Sequence, residues 1–246
     1  MYLFQDRLIF FSQPINNPYV AQFLEYEITF NHNGISLHGW FIKKEISGES
    51  PLVVYYGGNA EEVSGNLLDL DRMRHVSFLF VNYRGYGKSQ GKPTEENLVK
   101  DALFVCDEMV NREGIDPNNI ILMGRSLGSG VAVQVAAKRK IRGIILVTPF
   151  DSLVNVAKSH YPLFPVGLAI KHRFDSMKYA SEIKYPALAL MGTSDQIIAN
   201  KHSEELRKAW GGPIKAIFIE KAGHNDIQIF PEYWSAIREF IKELNN

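Results

Sequence analysis

A chain of 246 residues with 46% hydrophobic and 22% charged side chains has an ordinary globular composition and enough apolar material for one large α/β core. The formal net charge is +0 and no basic run stands out, so neither nucleic acid nor an acidic surface is an expected partner. One cysteine, Cys106, excludes a disulfide framework, and seven scattered histidines lack metal-ligand spacing, so no metal or cofactor is expected.

The amino-terminal stretch 1–18 is apolar only in pieces, because Gln5, Asp6 and Arg7 interrupt it. It reads as neither a targeting signal nor a membrane span, and a cytoplasmic protein without a transmembrane segment is the expectation. Residues 26–30 and 35–42 form a predicted hairpin, with Asn33-Gly34 at the tip of its turn. The texture then changes. The short continuous apolar runs 52–56, 77–81, 120–123, 144–147, 187–191 and 216–219 are the pattern of strands buried on both faces. Helical periodicity lies between them. It covers Ala60 to Arg74, Thr94 to Arg112 with Thr94 as N-cap, the stretch ending at Ala137, Ser203 to Trp210, and Pro231 to Leu244. Cys106 falls within the second of these as a buried thiol.

Alternating strands and helices predict a mostly parallel eight-stranded sheet in a single α/β domain over residues 1–246. About forty residues separate Val147 from Ala187, too many and too rich in Pro and aromatic residues for one regular connection. We read about 151–184 as a small cap after the sixth strand. Its apolar residues Tyr161, Leu163, Phe164 and Phe174 are expected to pack it onto the body.

The chemistry is carried by Gly124-Arg125-Ser126-Leu127-Gly128, placed between a strand and a helix. Such a turn forces its central serine into strained geometry and pushes the hydroxyl out of the sheet edge. It also puts the Leu127 N–H at a helix start, where it can hold an oxyanion. A second backbone donor is expected from the loop Gly57-Gly58-Asn59-Ala60, with Asn59 the choice. A serine hydroxyl needs a histidine base, and that base needs a carboxylate. His224 lies directly after the last strand, within Gly223-His224-Asn225. Two acids follow parallel strands, Asp195 and Asp151. Asp195 is preferred because its short polar loop has no other evident purpose, and Asp151 could instead cap the first helix of the cap.

Together these residues resemble the α/β-hydrolase superfamily, specifically its Bem46-like and ABHD13/ABHD17-like group of serine hydrolases. The resemblance rests on residues 82–89 (NYRGYGKS), the GRSLG elbow, 194–198 followed by His202-Ser203, Gly223-His224-Asn225, and Tyr161-Pro162 with 173–176 in the cap. It implies an α/β-hydrolase fold, a triad of Ser126, Asp195 and His224, and hydrolysis of an ester or thioester through an acyl-enzyme. Two positions depart from the group's pattern: Gly57 stands where histidine is usual, and Asn82 where aspartate is usual. Peptidase or amidase action on the same fold, and a non-catalytic binding protein, are the alternatives. A small-molecule or acyl substrate is the expected partner, and nothing in the sequence marks an oligomeric state.

Overall fold

The computed structural model describes residues 5–44 and 50–245. Residues 1–4, at the head of the stretch weighed above as a targeting signal, lie outside it. No helix among the described residues is long and apolar enough to cross a membrane.

The hairpin forms as its sequence dictates. Strands β1 (Glu27–His32) and β2 (Ile35–Ile42) pair antiparallel with His32 opposite Ile35. That leaves Asn33 and Gly34 as the two-residue turn, at φ 53° and 76°. Both central residues of such a turn need positive φ, which asparagine tolerates and glycine adopts freely. The apolar runs become β3 (Leu52–Tyr56), β4 (Ser77–Val81), β5 (Ile120–Arg125), β6 (Gly143–Val147), β7 (Ala187–Gly192) and β8 (Ile214–Ile219). The eight strands make one sheet in the order β1-β2-β4-β3-β5-β6-β7-β8, with β3 to β8 mutually parallel.

Helices cover both faces. On one lie α2 (Glu95–Asn111), α3 (Leu127–Ala136) and α7 (Asn200–Ala209), packed with Leu52, Val54 and Tyr56. On the other lies α8 (Pro231–Leu244), packed with Val53 and Tyr55. Successive residues of β3 thus enter different cores, which is why the run is apolar throughout instead of alternating. Thr94 caps α2 as expected, its Oγ1 accepting the Asn97 N–H at 3.1 Å. Cys106 is on the buried face of this helix, and burial pushes its thiol up to about 11.

Two expectations need correction. The segment read as a helix over Ala60 to Arg74 is a run of 3-10 turns, Val63–Met73. It starts late because the Glu61 carboxylate turns back onto the Gly58 N–H, and the first turn is capped only at Glu62, through the Ser64 N–H. Ser64, Gly65 and Asn66 then follow, and all three are weak helix formers. The connection after β6 carries three helices, α4 (Leu153–His160), α5 (Val166–Ala169) and α6 (Met177–Ala180). Only Phe174 of its four named apolar residues packs inward, at 0% exposure, whereas Tyr161, Leu163 and Phe164 are 59%, 93% and 60% exposed. The turn 161–165 carries two prolines, and its apolar side chains stay at the surface.

A short amino-terminal helix, α1 (Gln5–Ile9), ties to the segment after α5. His172 Nε2 donates to Asp6 Oδ1 at 2.7 Å, and Gln5 Nε2 donates to the Ala169 carbonyl at 3.2 Å. Glu95 anchors the same segment by accepting the Arg173 and Phe174 N–H groups.

Candidate active site

Parallel strands end on one edge, so the loops after β3, β5, β7 and β8 meet there. The elbow after β5 requires both of its glycines. A Cβ at Gly124 would lie 2.3 Å from the Gly128 carbonyl oxygen, and one at Gly128 would lie 2.0 Å from that of Tyr56. Ser126 sits between them at φ 49°, a strained conformation for a residue with a side chain. Its N–H donates to the Val147 carbonyl at 2.9 Å, and its own carbonyl accepts from buried Ser129 at 2.6 Å. These bonds hold the strained residue in place and aim its hydroxyl outward.

That hydroxyl donates to His224 Nε2 at 2.9 Å, and His224 Nδ1 lies 2.8 Å from Asp195 Oδ2. An ionised carboxylate only accepts, so Nδ1 carries the proton and Nε2 is left as the acceptor for Ser126. Asp195 Oδ1 accepts the Ile197 and Ile198 N–H groups, both at 2.8 Å. With its side chain 2% exposed, this carboxylate is fully partnered by its own loop and by His224. Nearby Asp226 points elsewhere, its Oδ1 taking the Gly223 N–H at 2.6 Å.

Asp151 belongs to a different cluster. Its Oδ1 accepts the Ser152 N–H at 2.7 Å and lies 3.0 Å from His202 Nδ1. His202 Nε2 in turn lies 2.9 Å from the Ser159 hydroxyl on α4. The cap of α4 is Ser152, not Asp151.

The loop after β3 lies against the elbow, with a Cβ at Gly58 falling 3.9 Å from that of Ser126. The Gly58 N–H is taken by Glu61 Oε2 at 2.8 Å. The Asn59 and Leu127 N–H groups have no hydrogen-bond partner within the described residues. Asn59 and Leu127 both line the groove that holds Ser126. Asn59 is fixed through its carbonyl, which accepts from the Tyr86 hydroxyl at 2.6 Å and the Phe11 N–H at 3.0 Å. No helix dipole backs it, because the helical turns begin only at Val63.

Both departures from the family pattern have a structural counterpart. Asn82 Oδ1 accepts the Val63 N–H at 3.1 Å while its Nδ2 donates to Glu62 Oε1 at 2.8 Å. An ionised aspartate could not donate to Glu62, so asparagine matches that neighbour. Gly57 leaves little room, since a Cβ there would meet Val63 Cγ1 at 3.2 Å.

The groove measures about 840 Å³. Phe150, Leu153, Val156 and Ile198 give it an apolar wall, and Gln13, Asn16, Glu61, Glu62 and Arg125 a polar one. Glu61 and Arg125 are not singled out by the sequence reading. The available signal is two opposite charges, each within two residues of a candidate site residue. No cluster of three potential metal ligands exists among the described residues.

Comparison with known proteins agrees with this architecture. The sequence model of a family described as alpha/beta hydrolase domain matches residues 66–227. An uncharacterized protein of Mycobacterium tuberculosis is 31% identical over 247 residues, covering 97% of this chain and 88% of its own. Human alpha/beta hydrolase domain-containing protein 17B is 30% identical over 193 residues, covering 73% of this chain and 64% of its own. Among solved structures, an alpha-beta hydrolase from Vibrio vulnificus superposes with a TM-score of 0.80 at 20% identity, covering 96% of this chain and 92% of its own. An acetyl xylan esterase from Paenibacillus sp. R4 does so with 0.70 at 20% identity, covering 93% and 86%. At such identities the structural likeness is one of fold.

Proposed function

Because this chain belongs to the alpha/beta hydrolase domain family, we propose that it is a serine hydrolase cleaving carboxylic ester or thioester bonds through an acyl-enzyme on Ser126. The observation that carries this reading is the unbroken hydrogen-bond relay from Ser126 through His224 to Asp195, at 2.9 and 2.8 Å. It starts from a serine held at φ 49° in front of a helix N-terminus.

Ser126 Oγ attacks the carbonyl carbon while His224 Nε2 takes its proton. Asp195 keeps the imidazole in the required tautomer and stabilises the imidazolium. The Asn59 and Leu127 N–H groups receive the oxyanion of the tetrahedral intermediate; one such donor contributes about 10²–10³-fold in rate. His224 then protonates the departing alcohol or thiol. It next takes a proton from water, which attacks the acyl-enzyme; as the acid leaves, His224 returns that proton to Ser126 Oγ. The apolar wall of the groove suits an acyl group, and the polar wall suits a hydrated leaving group.

The test is hydrolysis of p-nitrophenyl esters of increasing acyl length by wild-type protein and Ser126→Ala, beside labelling by a fluorophosphonate. Ser126→Ala is expected to lose about 10⁴–10⁶-fold in kcat and all labelling. Wild-type turnover in Ser126→Ala would refute the scheme. Folded wild-type protein that neither labels nor hydrolyses any ester would favour a binding protein.

A further inference from the structure

Glu61 and Arg125 meet on the polar wall of the groove, with side chains 14% and 17% exposed. Arg125 directly precedes Ser126, and Glu61 stands two residues beyond Asn59. Arg125 Nη1 donates to Glu61 Oε2 at 3.3 Å, and that same oxygen accepts the Gly58 N–H at 2.8 Å. Glu61 Oε1 accepts the Tyr55 hydroxyl at 2.7 Å and an Asn66 amide N–H at 2.8 Å. At the other end, Arg125 Nη2 donates to the backbone carbonyl of His224 at 3.3 Å. One ion pair therefore touches the donor loop, the elbow and the base loop, which are 64 and 99 residues apart from Arg125 along the chain for the two outer contacts.

Stability is a poor explanation for such a pair. Removing two charges from water is costly, and a buried ion pair often contributes no more than an apolar pair of equal size. Both bonds of this guanidinium are long, and its buried Nε–H has no partner among the described residues.

We propose that the Arg125–Glu61 pair is a positioning device. It fixes the donor loop and the base loop relative to Ser126 and balances charge beside His224. This rests on the serine-hydrolase reading above. The carboxylate holds the Gly58 N–H and so fixes the next peptide, whose N–H is that of Asn59. The guanidinium holds the His224 carbonyl and so limits drift of the imidazole. Neither residue needs to touch the substrate.

The charge arrangement gives the role a signature. Facing the pair are Tyr55, Tyr83 and Tyr233, whose hydroxyls burial pushes far above their ordinary range, so they stay neutral. Glu62 flanks the donor loop, and His160 lies across the groove. The base loop brings Glu220, Lys221 and Asp226, and Asp195 sits on the imidazole itself. Of these groups only Arg125 and Glu61 form an ion pair that spans the site. Loss of the cation alone favours the imidazolium and raises the pH at which His224 becomes a base. Loss of the anion alone does the reverse.

The experiment measures kcat, KM and the pH profile of kcat/KM with p-nitrophenyl butyrate, on the full chain. Arg125→Met is expected to lose about 10–100-fold in kcat with KM within about twofold, because misplaced groups cost turnover more than binding. Its acidic limb moves to higher pH, and that of Glu61→Gln moves to lower pH. Arg125→Lys keeps the charge, so its limb stays at the wild-type position. Its kcat remains reduced, since one ammonium does not span both loops. Circular dichroism and thermal unfolding confirm that each variant folds. If Arg125→Met does not fold, Glu61→Gln and Arg125→Lys decide the matter. Limbs that stay in place or move the same way in Arg125→Met and Glu61→Gln overturn the proposal, as does unchanged kcat. Ser126→Ala run alongside separates the two levels. If it retains activity, the hydrolase reading fails; if it is inactive while the pair variants behave as wild type, only the positioning role fails.

Discussion

Ser126–His224–Asp195 and Ser159–His202–Asp151 are the same three residue types joined through an imidazole at nearly the same distances. In the first set they are 2.9 and 2.8 Å, in the second 2.9 and 3.0 Å. The surroundings of the serines differ. Ser126 stands in a strained elbow ahead of α3, where the Leu127 N–H has no partner among the described residues. Ser159 lies in the last turn of α4, where the free groups are carbonyls and the dipole repels developing negative charge. Its hydroxyl also faces the Asn155 carbonyl at 3.2 Å, which competes with His202 for the one proton. A relay of this kind supplies a base. The polarity of the backbone around the serine decides whether the alkoxide and the oxyanion can be held. The second set instead joins α4 to α7, the helix that carries His202, and so braces an apolar wall of the groove.

The comparison is broken most directly at the two aspartates. Asp195→Asn is expected to lower kcat by about 10⁴, because an amide favours the wrong imidazole tautomer. The equivalent Asp151→Asn leaves catalysis far less affected. It instead replaces one carboxylate oxygen with an NH2 group, so either Asn155 or the Ser152 and His202 donors lose a buried acceptor. That is expected to cost about 1–3 kcal/mol, read as a melting temperature lower by several degrees. An Asp151→Asn variant as inactive as Asp195→Asn would erase the distinction drawn here.

The serines give the finer contrast. Mass spectrometry of fluorophosphonate-treated protein should find the adduct on Ser126 and none on Ser159, although Ser159 is the exposed residue of its set. Ser159→Ala should keep wild-type kcat and lower stability by about 0.5–1.5 kcal/mol, the loss of one hydrogen bond to the buried His202.

Much of this molecule is legible along the chain because it is written in local terms. Asn33-Gly34 specifies a two-residue turn, the uniformly apolar runs specify strands buried on both faces, and Gly124 and Gly128 specify an elbow that no larger residue fits. Ser126 and His224 stand out for the same reason, each in a short loop directly after a strand. The partnership between them is another matter. Ser126 and His224 are 98 residues apart, and Asp195 and Asp151 both follow parallel strands, so sequence position alone leaves two acids eligible. Sheet register and the curl of the loop at Ile197 and Ile198 place one carboxylate on His224, while α7 carries His202 to the other. The exposed turn 161–165 and the Glu61–Arg125 pair also emerge only in three dimensions. Periodicity and turn chemistry act between near neighbours, but which polar groups pair is decided by the edge at which distant strands end.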